Sequence, residues 1–112
     1  MSGHEPTPFS VQTDVRDART VVVVRGELDL ATASQVEDAV LPVVAGGGRV
    51  LLDLRPLEFM DSSGVRVLVA AHAAAEEHGG ELSLVRPPVG GPIERLLAIS
   101  GLDTVLHLVD EA

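Results

Sequence analysis

Polar and apolar positions alternate first with a period of two. Phe9, Val11, Thr13 and Val15 are separated by more polar neighbours, the pattern of a half-buried strand at a sheet edge. After Asp17-Ala18-Arg19 the pattern becomes the continuous run Thr20-Val21-Val22-Val23-Val24. Its β-branched side chains suit a strand covered on both faces, and the two segments are predicted to form a hairpin. Beyond Gly26-Glu27-Leu28-Asp29 the period lengthens: Val36, Ala39, Val40, Val43 and Val44 recur at helical spacing, so one face can lie on a sheet. Thr32 and Gln35 are spaced to cap the start of this helix reciprocally. Pro42 predicts a kink or an early end, because a proline inside a helix removes a hydrogen bond and clashes with the preceding turn, at a cost of about 3 kcal/mol. Gly46-Gly47-Gly48 closes the segment.

Val50 to Leu54 reads as a second buried strand, with Arg55 to Met60 as its exit towards a turn. From Gly64 to His78 good helix formers dominate until Gly79-Gly80. Val65, Leu68, Val69 and His72 are expected to face the sheet. Arg66, Ala70, Ala73 and Glu77 line another side, bare enough for a partner helix to approach. Glu81 to Arg86 supplies another strand. Pro92, Ile93, Leu96 and Leu97 mark a short helix closed by Gly101, and Val105 to Val109 is a last strand or an extended tail. Alternating strands and helices, with crossovers long enough for parallel pairing, predict one α/β domain over residues 9–112. Its sheet is expected to be mostly parallel and four- to five-stranded, with an antiparallel edge hairpin and helices packed on it.

Composition narrows the picture. Apolar residues make up 46% of the 112, but with two Phe and no Trp or Tyr the core must be aliphatic. Eight basic against 17 acidic residues give a formal charge of −9, the wrong sign for displacing counterions from nucleic acid. No cysteine is present, so neither disulfides nor thiolate chemistry are available, consistent with a cytoplasmic location. Residues 1–8 hold two prolines, a glycine and no apolar run, and read as a flexible N-terminal tail rather than a signal peptide. No apolar stretch approaches the roughly 20 residues that span a bilayer. A monomer without membrane or nucleic-acid partners is expected.

Chemistry is confined to few places. Asp61-Ser62-Ser63-Gly64 joins an extended segment to a helix, where acidic and hydroxylic residues also serve simply as caps. Gly46-Gly47-Gly48 lacks the Lys-Ser or Lys-Thr of a phosphate loop and leads from a helix into a strand. His72 and His78 are six apart, not on one helical face, and no further residue completes a metal set. Ser62 lacks the Gly-x-Ser-x-Gly elbow and a recognisable histidine partner. No enzyme activity, cofactor or metal is expected.

Three motifs taken together carry more. Gly26-Glu27-Leu28-Asp29 precedes the first helix, Leu57-Glu58-Phe59-Met60-Asp61-Ser62-Ser63-Gly64 the second, and Ser100-Gly101-Leu102 follows the third. In this order they resemble the STAS domains, named for sulfate transporters and anti-sigma factor antagonists, and in particular the stand-alone antagonists, over nearly the whole chain. The resemblance implies that the serine directly after the Asp, Ser62 here with Ser63 as the fallback, is phosphorylated by a partner anti-sigma factor that is itself a serine kinase. It implies further that the unphosphorylated protein binds this kinase and makes it release a sigma factor, that phosphorylation blocks binding, and that a serine phosphatase restores it. Asp29 matches an acid that faces the partner in the family, and with Asp61, Ser62, Ser63, Gly64 and Arg66 it makes up the expected partner-binding set. The same family also contains non-switching adaptors, such as a subunit of a lipid-transport complex or a signalling scaffold. Two features depart from the pattern: Pro42, and a chain ending at Val109-Asp110-Glu111-Ala112 where many members continue into another helix. Elementary physics agrees with a switch. A phosphoryl group adds about −1.5 to −2 charges, which a helix N-terminus tolerates, whereas a partner packed over it would have to desolvate a dianion.

Overall fold

The valine run forms an interior strand of a mixed sheet. The computed structural model describes residues 7–110, so Met1 to Pro6 of the expected tail and the last two residues lie outside the described residues. In chain order the elements are β1 (Ser10–Arg16), β2 (Arg19–Leu28), α1 (Ala33–Ala45), β3 (Arg49–Asp53), β4 (Leu57–Met60), α2 (Ser62–His78), β5 (Glu81–Val85), α3 (Pro92–Ser100), a 3-10 turn (Leu102–Thr104) and β6 (His107–Val109). The sheet order is β1-β2-β3-β5-β6. The β1–β2 pair is antiparallel, and the β2–β3, β3–β5 and β5–β6 pairs are parallel. Asp17 and Ala18 turn the hairpin with φ of 54° and 62°, the left-handed pair that matches the twist of the flanking strands.

The α/β class, the edge hairpin and the parallel majority are as the pattern predicts, and a sixth strand is added. Leu57–Met60, expected as an exit segment, pairs in parallel with the last residues of β2, Leu28 opposite Met60, after a register shift between Gly26 and Glu27. Four residues are too few for periodicity to reveal, and their pairing depends on β2 extending well past the valines.

One face of the sheet carries the main core. Val22, Val24, Val50, Leu52, Leu82 and Leu84 meet Val36, Val40 and Val44 of α1, Val67, Leu68, Ala71 and Ala75 of α2, and Ile93 and Leu97 of α3. The core is aliphatic, as the composition requires. On the other face Val21, Leu51 and Val85 form a smaller cluster, with Val23 and Val109 against it. Both faces of the central strands are therefore apolar, which is why their sequences run rather than alternate.

Several local expectations are corrected. α1 passes through Pro42 and ends at Gly46, because Val40 and Val44 on either side are fully buried while Pro42 itself faces solvent. The Thr32 side chain makes no cap hydrogen bond to α1, so the Thr32–Gln35 box does not form. α2 begins at Ser62 rather than Gly64, and its sheet-facing side is Gly64, Val67, Leu68, Ala71 and Ala75, with Val69 49% exposed. The small residues Gly64, Ala71 and Ala75 let α2 settle close to both the sheet and α1, and this contact decides the rotation of the helix. Along β1 the alternation fades: Phe9 and Val11 are half-buried, whereas Thr13 and Val15 are exposed where the hairpin projects beyond the core. Of the last segment only His107–Val109 is strand, after the 3-10 turn.

Candidate functional site

Asp29 and Asp61 follow directly from neighbouring parallel strands. β2 ends at Leu28 and β4 at Met60, these two residues are paired, and the Asp61 N–H donates to the Leu28 carbonyl at 3.2 Å. The motif before α1 and the motif before α2 thus become one surface at the carboxyl end of the sheet, where α/β folds commonly place their sites. Neither segment could reveal this alone.

In the second motif Asp61 is the N-cap of α2, its carboxylate accepting from the Ser63 N–H at 2.8 Å. The cap and the exposed hydroxyl thereby belong to different residues. Asp61 ties the first turn, Ser63 is buried beneath it, and Ser62, the first helical residue, is exposed. Gly64 is fixed by close approach: a Cβ there would overlap Met60 Cγ and lie 2.8 Å from its Sδ and 3.0 Å from Leu28 Cδ2. Glycine at this position presses the first turn of α2 down onto β4 and leaves Ser62 at the surface.

In the first motif Asp29 is half-buried, and its Oδ1 accepts from the Ala31 N–H at 3.0 Å. The Thr32 hydroxyl accepts from the Asp29 N–H at 3.0 Å and lies 2.9 Å from the Glu27 carbonyl and 3.2 Å from Asp29 Oδ1. Thr32 therefore serves the loop that presents Asp29, which explains its absence from the α1 cap.

Between the first turns of α1 and α2 lies an open cleft of about 310 Å³, lined by Leu30, Ala33, Ser34, Glu37, Ser63, Arg66 and Val67. Of the sequence-predicted set, Ser63 and Arg66 line it, Ser62 is exposed in the same first turn of α2 without lining the cleft, and Gly64 is buried in that turn. Asp29 and Asp61 are brought together by the backbone rather than by the cleft. Sequence reasoning missed Leu30, Ser34 and Glu37. Leu30 carried a usable signal, being a large apolar residue between Asp29 and Ala31 that belongs to no periodic stripe; it is 79% exposed. Among the described residues no group of three or more potential metal ligands is assembled, and no helix is long and apolar enough to cross a membrane.

A family model described as Mlab, STAS domain, matches residues 11–110. The anti-sigma F factor antagonist of Paenibacillus polymyxa is 31% identical over 106 residues, covering 91% of this chain and 89% of the relative. The anti-sigma-B factor antagonist of Staphylococcus aureus is 30% identical over 101 residues, covering 89% and 92%. Among solved structures, an anti-sigma factor antagonist from Mycobacterium paratuberculosis superposes with a TM-score of 0.76 at 30% identity, covering 92% of this chain and 86% of that one.

Proposed function

The chain belongs to the STAS domain family, and from that premise we propose that it is an anti-sigma factor antagonist gated by phosphorylation of Ser62. In its unphosphorylated form it binds an anti-sigma factor kinase and displaces the sigma factor; phosphorylation by that kinase ends the binding, and a serine phosphatase resets it. The observation that carries this reading is the contrast between adjacent serines: Ser62 is exposed at the start of α2, whereas Ser63 is buried with its N–H held by Asp61. A kinase can reach the first hydroxyl without disturbing the fold. Asp29, Asp61, Gly64 and Arg66 then act as neighbours of the switch. Asp29 and Arg66 offer charge to the partner, and Asp61 and Gly64 hold the turn in place.

Phosphate at Ser62 gates binding through solvation. A partner packed over this turn must strip water from a group of about −2 charge beside the Asp61 and Asp29 loops, which is unfavourable without matching cations. The fold is untouched, because the added charge sits at a helix N-terminus whose dipole favours it.

Ser62→Ala and Ser62→Asp test this against the adaptor reading. Both variants are expected to melt within a few degrees of the parent, since Asp61 and not Ser62 caps the helix. Titration calorimetry with the anti-sigma kinase should separate them: alanine binds constitutively, aspartate at least several-fold more weakly. Phosphate placed by the kinase on a residue outside the turn, or a Ser62-phosphorylated protein that binds as tightly as the parent, would replace the switch with the adaptor.

A further inference from the structure

We propose that Arg66 is the internal counter-ion of phosphorylated Ser62, an inference that rests on the assignment of Ser62 as the phosphoacceptor. The two residues are four apart in α2 and both are exposed, so they share one helical face with their Cβ atoms about 5–6 Å apart. The order is the favourable one, with the anion N-terminal to the cation, so pair attraction and helix dipole act together. Arg66 is also uncommitted. Arg16, Arg49, Arg55 and Arg86 are each paired with a carboxylate, but among the described residues none lies within 4.0 Å of the Arg66 side-chain nitrogens. It is the only basic residue lining the cleft, whose other charged residue is Glu37, while the Asp61 and Asp29 carboxylates are occupied by N–H donors.

Phosphorylation therefore changes the surface twice. It adds a dianion at Ser62 and draws in the guanidinium that the unphosphorylated protein offers to a partner. A planar guanidinium suits phosphate, with donors that can bridge two oxygens.

The test encodes phosphoserine at position 62 of the full chain during translation, so that no kinase takes part. The second ionisation of the phosphate is then followed by phosphorus NMR in the Arg66 parent, in Arg66→Gln and in Arg66→Lys. The pair should lower the parent midpoint by roughly 0.3 pH unit relative to Arg66→Gln, the equivalent of an exposed helical ion pair. Arg66→Lys should fall nearer the parent, and the difference should collapse in about 1 M salt. Coincident midpoints in parent and Arg66→Gln would overturn the pairing, as would a difference that salt leaves unchanged. Because phosphoserine is built in, a kinase that modifies another residue would sink the switch without moving these midpoints. Coincident midpoints would leave Ser62 standing as the phosphoacceptor.

Discussion

Asp53 lies at the end of β3 with a buried carboxylate that accepts from Arg55 Nε at 3.0 Å, from an Arg55 guanidinium NH2 at 2.9 Å and from the Arg55 N–H at 3.0 Å. Burial alone would raise its pKa. The Arg55 side-chain and backbone hydrogen bonds and the charges of Arg55 and Arg25 outweigh it and hold the group below its ordinary 3.8. The sign follows from linkage. The unfolded chain takes up this proton more readily, so the charged pair contributes its full stability above pH 3.8 and loses it as pH falls through the lowered native value. Asp53→Asn should therefore be less stable than the parent at about pH 6, with the gap narrowing once pH drops below about 3.8, as read by urea unfolding at each pH. A gap independent of pH would show that shape, not charge, is what Asp53 supplies.

At the scale of elements, α1 tolerates a proline that local rules would use to end it. Pro42 cannot donate to the Asp38 carbonyl, but both residues face solvent, so water takes the place of the lost donor. Meanwhile Val36, Val40 and Val44, buried at successive turns, hold the helix to the sheet on the opposite side. Burying three valines is worth several kcal/mol, enough to offset the roughly 3 kcal/mol that a proline costs. Pro42→Ala should accordingly restore the hydrogen bond without touching the core and raise the melting temperature by several degrees in a thermal scan. An unchanged or lower value would mean that the proline's restriction of the unfolded chain matters more than the missing bond.

For the whole molecule, stability should be graded from the sheet centre outward. β2, β3 and β5 are apolar on both faces. β1 is largely exposed beyond Val11, and β6 is a three-residue edge. Amide exchange followed by NMR should be slowest at Val21 to Val24, Leu51, Leu52 and Leu84, and fast at Thr13 to Arg16 and in β6. Protection at the hairpin tip as strong as that of β3 would contradict this gradient. The Ser62 turn is set on the carboxyl end of β4 and tied to β2, so the proposed phosphorylation site is held by the rigid part of the fold.

The chain on its own determined the elements that have a strong period or strong punctuation. The valine run, the helical spacing from Val36 to Val44, the glycines at 46–48 and 79–80, and Pro92 with Gly101 each express a local rule that tertiary contacts had no reason to overturn. The four-residue motif at Asp61 was legible as a capped turn, and the resemblance of three motifs suggested its proposed role. Tertiary structure alone decided four further matters: that Leu57–Met60 is a strand, that α2 turns Ala71 and Ala75 rather than Val69 and His72 inward, that Ser62 is exposed while Ser63 is largely buried, and that Leu30 and Glu37 share a cleft with Arg66. These depend on how closely one element can approach another. Local sequence sets periods and stops, whereas contact distance is fixed only when Leu28 pairs with Met60 and meets Gly64, across more than 30 residues of intervening chain.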